Sequence, residues 1–444
     1  MSLQPTTRGR TMQSNLSPAV PQVSAKHRRS HGVDWLLLAM LLSTQFGRTM
    51  AELRSSSILI VVPLAISSAL LFVASVFGGG PRAAAVTPAG FRLRLLMILL
   101  FALAALSTIW VTTGNDTFLV GRTPWLKLAG LLLVIPTLLT RSRRISSERL
   151  ITTLRWFAPL EMIFLLALAP ISNWNPNAIS TRIAICGVIG FALYRSFTVR
   201  TLLLLTSAGV SFAYRCRTAT VACISAVIAW SWSRKFARRK VEFAFLSLVV
   251  LGSIVVLADP ITDALMNVAG RNLGSDNLIA DFFLHDKVRA DLGREGDFLD
   301  RVDVWVAASD LIAENPLFGI GLGCEDKYLG LRAHNALLSA TVEAGVLYGA
   351  GWGLLTVLAM VLMLNEQSSH NYARVQLARL GFGIGAYLIL AGLVEASGLA
   401  SVATPGSQVF YLIAFRLGCR EESPSMGRQV SRRHTQVANV GIRR

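Results

Sequence analysis

Five basic side chains fall where water-facing stretches of the chain give way to apolar ones: Arg215, Arg217, Arg301, Arg332 and His334. Arginine stays charged and offers a planar fork that takes phosphate oxygens two at a time. Histidine titrates near a pKa of about 6.5, so a neutral imidazole can accept a proton from a hydroxyl. Together these residue types suit a group transfer in which a lipid diphosphate is the leaving group. Each also has a plainer reading. Arginines at span ends commonly snorkel to lipid phosphates, the reading kept for Arg332. A histidine at a helix start is often a capping or interface residue.

Other candidates are fewer. Glu161 and Glu395 lie in apolar spans, where a carboxylate is either a functional group or a partner for Arg122 or Lys127. Glu343 follows His334 by nine residues, about half a turn out of phase, which sets it off the face of the histidine. The run Gly319-Ile320-Gly321-Leu322-Gly323 looks like a nucleotide-binding turn, but no strand precedes it and no βαβ unit surrounds it. The cysteines (186, 216, 223, 324 and 419) contain no C-x-x-C pair, and no carboxylate cluster has metal-ligand spacing, so neither a metal nor another cofactor is expected.

The elements that must position these residues follow from composition. Of 444 residues, 53% are hydrophobic and only 15% charged. Apolar runs of about 17–25 residues recur, the length that crosses a hydrocarbon core of roughly 30 Å. The pattern predicts an all-α polytopic membrane protein. Its spans are 33–47, 57–77, 93–113, 117–139, 156–172, 179–195, 197–213, 217–233, 241–258, 335–364, 376–395 and 403–418. The chain then divides into a basic, disordered cytoplasmic tail (1–32), N-terminal transmembrane helices (33–258), a periplasmic loop with short helices (259–334), C-terminal transmembrane helices (335–418) and a second basic tail (419–444). The first tail lacks an apolar core with a small-residue cleavage site, so no cleaved signal peptide is expected.

The net charge of +18 does not point to nucleic acid, because the basic residues sit in short loops and tails and no recognition motif accompanies them. Loop 140–155 carries Arg141, Arg143, Arg144, Arg149 and Arg155; loop 233–241 carries Arg234, Lys235, Arg238, Arg239 and Lys240. With about 12 spans and both termini cytoplasmic, these charges fall on one side. The stretch 259–334 holds 11 Asp and 3 Glu, 14 of the 25 acidic residues, and falls on the other. Arg215 and Arg217 break the pattern on that outer side, which asks for an anionic partner. Within the stretch, Asp300 is a candidate N-cap for a helix over 301–314. Val302, Trp305, Val306, Ser309 and Ile312 form its packing face. Asn315-Pro316 ends it, the glycine run turns the chain back, and 276–292 is a second candidate helix.

Arg301-x-x-x-Trp305, Glu314-Asn315-Pro316-Leu317-Phe318-Gly319-Ile320-Gly321, His334-Asn335 and Glu343-Ala344-Gly345 resemble the O-antigen ligase and polysaccharide polymerase superfamily, within it most nearly the exopolysaccharide polymerases of Gram-negative bacteria. The resemblance implies an outward-facing, metal-independent membrane glycosyltransferase of the bacterial inner membrane. The donor would be an oligosaccharide on undecaprenyl diphosphate, and the acceptor a sugar hydroxyl of a second glycan. It implies that Arg217 and Arg301 hold the diphosphate, with Arg215 the rival of Arg217 because Cys216 stands where serine is usual. His334 would be the catalytic residue, and Glu343, Glu395 and Asn335 supporting ones. Polymerisation of exopolysaccharide or O-antigen units is favoured; ligation to lipid A core is the alternative, and transport of a lipid-linked sugar a remoter one. Chain-length regulators or export proteins are the implied protein partners.

Overall fold

A computed structural model describes residues 32–43, 58–77, 83–113, 123–168, 176–213, 216–238, 298–329, 333, 335–394 and 404–420. The expected span 241–258, the candidate helix 276–292 and both tails beyond these limits lie outside the described residues. Among the described residues the regular structure is helical, save one isolated bridge between Val86 and Cys419. The helices are α1 (35–43), α2 (Ile58–Phe77), α3 (Pro88–Thr113), α4 (Thr123–Arg144), α5 (Ser147–Leu168), α6 (Pro176–Leu193), α7 (Phe197–Ala213), α8 (Arg217–Arg238), α9 (Phe298–Glu314), α10 (Glu325–Leu329), α11 (Ala336–Ala344), α12 (Val346–Glu366), α13 (Tyr372–Val394) and α14 (Pro405–Leu417).

Five of these, α3, α4, α5, α12 and α13, are long and apolar enough to cross a membrane; shorter apolar helices lie within α2, α6, α7 and α8. The side chains of α3 show the solvent for which they are built. Leu93, Met97, Leu100 and Ala104 are buried in the bundle, while Phe91, Leu95, Ile98, Leu99, Leu106 and Ile109 are exposed on the opposite stripe. A helix that is apolar on its exposed face as well as its buried face fits a lipid surround. The short α14 is buried along its whole length, with Phe410, Tyr411 and Phe415 packed among the longer helices.

One end of the bundle is held by arginines. A helix leaves its last carbonyls without intrahelical donors, and guanidinium groups supply them here. Arg374 donates to the carbonyls of Leu417 (2.5 Å) and Cys419 (2.8 Å) and pairs with Glu366 at 2.8 Å. Arg94 donates to the carbonyls of Leu139 (2.6 Å) and Phe415 (3.1 Å) and to Ser142 Oγ at 2.8 Å. Arg141 Nε donates to Asp34 Oδ2 at 2.7 Å. The Arg420 amide donates to the Ala85 carbonyl at 2.7 Å. These bonds gather the start of α1, the start of α3, the α4–α5 junction, the α12–α13 turn and the end of α14 at one end.

The helical pattern predicted most of these helices, with corrections. The arginine-rich stretch 140–155 is mainly helix, since α4 runs to Arg144 and α5 begins at Ser147. Asp300 is no N-cap: α9 begins at Phe298, so Asp300 lies in its first turn, where an acidic residue is favoured by the positive helix end. The packing face of α9 is also shifted. Val306 and Ser309 are exposed, and Ala308 is buried against Ile320, Ala333 and Val342, with Val304, Trp305, Leu311 and Ile312 alongside. The turn that follows presses on that side and selects it.

Arg374→Ala would leave two buried carbonyls and Glu366 without their donor. We expect a loss of about 2–4 kcal/mol, read as a lowered unfolding temperature of the protein in detergent. Arg374→Lys should recover less than half, because a point ammonium cannot serve both directions of the fork.

Candidate functional site

The end opposite the arginines is built around a broken helix. The expected single span 335–364 is two helices, α11 and α12, that meet at Gly345 with φ +89°. Only glycine adopts this backbone readily, and a Cβ there would run into the Leu317 carbonyl. The bonds lost from the helix are replaced from the preceding turn. In a continuous helix Val346 N–H would donate to the Val342 carbonyl. Here Val346 N–H donates to the Pro316 carbonyl (2.9 Å), while the Val342 and Glu343 carbonyls accept from Ile320 and Gly321 N–H (2.9 Å each). Residues 316–321 are thus wedged into the ladder of the helix.

The wedge is seated on the ends of α3 and α4. Ser107 Oγ donates to the Phe318 carbonyl at 2.6 Å, and the rings of Trp110 and Phe318 lie 5.2 Å apart. Lys127 Nζ pairs with Glu343 Oε1 at 2.8 Å, its stem lying across Gly323. Among the described residues, Lys127 therefore has its carboxylate partner in Glu343 and not in Glu161. Glu161 is buried in α5.

Next in the chain comes the approach to His334. Ala333 is fully buried, and both of its polar backbone atoms are engaged. Its N–H donates to Glu325 Oε1 at 2.6 Å, and its carbonyl accepts from the Trp305 indole N–H. Glu325 is 2% exposed and also accepts from Ser339 Oγ at 3.0 Å. On the other side of the histidine, Asn335 caps α11, its Oδ1 accepting from the Leu337 and Leu338 amides at 3.1 Å each. Cys324 is buried, and desolvation pushes its thiol above the ordinary range.

The expected site residues distribute as follows. His334, Arg215, Arg332 and Glu395 lie outside the described residues. Arg217 opens α8 and Arg301 stands in the first turn of α9, and the description of each stops at its backbone. The helix directions fix where those backbones lie. Arg379, near the start of α13, has its guanidinium 4.3 Å over the Trp230 ring of α8, and Gly383 lies against the Ala226 carbonyl. The two helices run antiparallel, so Arg217 is at the end of the bundle away from the arginine network, with α11. Arg301 is one helical turn from Trp305, whose indole reaches the residue before His334. Asn335 and Glu343 have structural tasks, the cap and the Lys127 pair. The sequence reading missed Glu325, Ser107 and the role of Gly345.

Residues 201–353 match the family described as O-Antigen ligase. That stretch supports a place for this part of the chain in the O-antigen ligase and polymerase superfamily. The match runs from α7 into α12, and so takes in α8, α9, the wedge and α11 together. No protein of curated function matches the chain. The superfamily domain therefore coincides with the end of the bundle opposite the arginine network and with the helices that lead to it.

The surroundings of two glycines of this domain predict different tolerances. Gly345→Ala must displace backbone at Leu317 and strain a positive φ, and we expect a loss of about 3 kcal/mol or more. Gly323→Ala meets the Lys127 side chain, whose Cε would lie 2.6 Å from the new Cβ. That flexible chain can swing away, leaving a cost of about 1–2 kcal/mol for the left-handed backbone. Thermal unfolding of both variants in detergent tests the order.

Proposed function

We propose that the chain is a membrane glycosyltransferase that moves a glycan from an undecaprenyl diphosphate carrier to an acceptor sugar hydroxyl. Polymerisation of exopolysaccharide or O-antigen repeat units is its favoured use. One observation carries the reading. The Trp305–Ala333 hydrogen bond ties the helix of Arg301 to the residue before His334, within the stretch matched to the O-antigen ligase family and at the end where α8 starts with Arg217.

The chemistry follows from the residue types. Arg217 and Arg301 hold the carrier diphosphate and stabilise the charge that grows on it; Arg215 is the alternative to Arg217. His334 takes the proton of the acceptor hydroxyl as its oxygen attacks the anomeric carbon. The bond from that carbon to the carrier phosphate oxygen breaks, and the diphosphate leaves as an anion. Direct displacement inverts the anomeric centre. No metal is required by this scheme.

The arginine-bound end faces the cytoplasm in this reading, with both termini there, about 12 spans in all, and 259–334 as the periplasmic loop. The charge pattern supports it: loops rich in arginine share one end, and the acid-rich stretch leads to the other. Ligation to lipid A core is the second reading, favoured by the description of the matched family.

The test is transfer by purified protein in liposomes supplied with carrier-linked repeat units. Lengthening without lipid A core is expected for a polymerase; product only on its addition identifies a ligase. His334→Ala should lower the rate by about 10²–10⁴-fold. Transfer at the unmodified rate by this variant would remove His334 from the chemistry.

A further inference from the structure

We infer that Glu325 and Trp305 are positioning residues for His334, acting through the Ala333 peptide; this rests on the catalytic assignment of His334 made above. The Ala333 peptide atoms are gripped from two elements at once, its N–H by the Glu325 carboxylate of α10 at 2.6 Å and its carbonyl by the indole N–H of α9. The carboxylate oxygen that holds Ala333 also takes the Ser339 hydroxyl at 3.0 Å, one turn into α11. One buried atom therefore joins the residue before His334 to the helix after it, and the Asn335 cap closes the same joint.

The chemistry of the grip is suited to it. A carboxylate only accepts hydrogen bonds when ionised, and both bonds named here are donated to it. Burying it is costly, and the small apolar cluster of Ala308, Ile320, Ala333 and Val342 already packs α9 on this turn. What the two polar contacts add is direction: Glu325 fixes the peptide plane before Ala333 and Trp305 the plane after it, so that together they set the backbone of the residue from which the chain continues to position 334. A misplacement of about 1 Å at a reacting group can cost 10²-fold in rate.

Trp305→Phe keeps most of the ring and removes only the N–H. Glu325→Gln keeps an acceptor oxygen, while Glu325→Ala removes it. Each variant is made alone and together with His334→Ala in the full-length protein in liposomes. The probe is the lipid-diphosphate-linked oligosaccharide extracted from cells lacking this protein, and unfolding temperatures are measured in parallel. We expect Trp305→Phe and Glu325→Ala to lower kcat about 10–100-fold with KM for the probe within about twofold. Glu325→Gln should recover at least half of that loss on a logarithmic scale. Neither change should lower the rate further once His334 is alanine.

An unchanged kcat in Trp305→Phe and Glu325→Ala, or losses that multiply in full with that of His334→Ala, would overturn the inference while leaving the catalytic histidine in place. Full activity in His334→Ala alone would overturn both. Should Glu325→Ala fail to fold, Trp305→Phe carries the test by itself.

Discussion

The structure of the end opposite the arginines depends on an exchange of backbone hydrogen bonds. A helix that crosses lipid must satisfy every peptide group internally, because the hydrocarbon supplies no partners. Between Val342 and Val346 this chain abandons that rule, and the residues 316–321 supply the partners instead. The break can exist only while the wedge is in place, and the wedge keeps its shape only while the helix carbonyls receive its amides. Two segments that would be unstable apart thus stabilise each other, with Ser107 of α3 anchoring the pair to the bundle.

The break also sets what the end can present. A nine-residue helix such as α11 rises about 14 Å, too little to cross a membrane. It ends on the wedge and begins at the Asn335 cap. The start of α11 is thereby held beside α9 and α10 and not carried along a continuous rod. At the other end the guanidinium groups of Arg94, Arg141 and Arg374 are engaged with carbonyls and carboxylates of the bundle itself. The same residue type that is expected to hold a diphosphate at one end is a helix-capping device at the other. Net charge alone could not have told the two uses apart.

How much of this the sequence showed depends on the range of the interaction. The apolar runs marked α2, α3, α12 and α13 because twenty or so residues carry that signal redundantly. Asn315-Pro316 marked the end of α9 because proline restricts the residue before it, and the glycine run was legible as a turn. The break at Gly345 was not, since glycine is common in membrane helices and the partner that makes the break tolerable lies in a turn about thirty residues earlier. The packing face of α9 was misjudged for the same reason: the periodicity allowed neighbouring stripes, and only the wedge chose between them.

Glu325 shows the limit most clearly. Its neighbours Cys324, Asp326 and Lys327 read as a polar stretch in an exterior loop, and an acidic residue there draws no notice. Its burial comes from an amide eight residues on and a hydroxyl fourteen residues on, which α10 and α11 bring to one point. Local pattern cannot show a hydrogen bond that exists only once three elements meet. The residue types that could bind and transfer were visible in the chain. The groups that hold them in register are a property of the contacts, and a chemistry that depends on placement to within about an ångström depends on those groups as much as on the histidine itself.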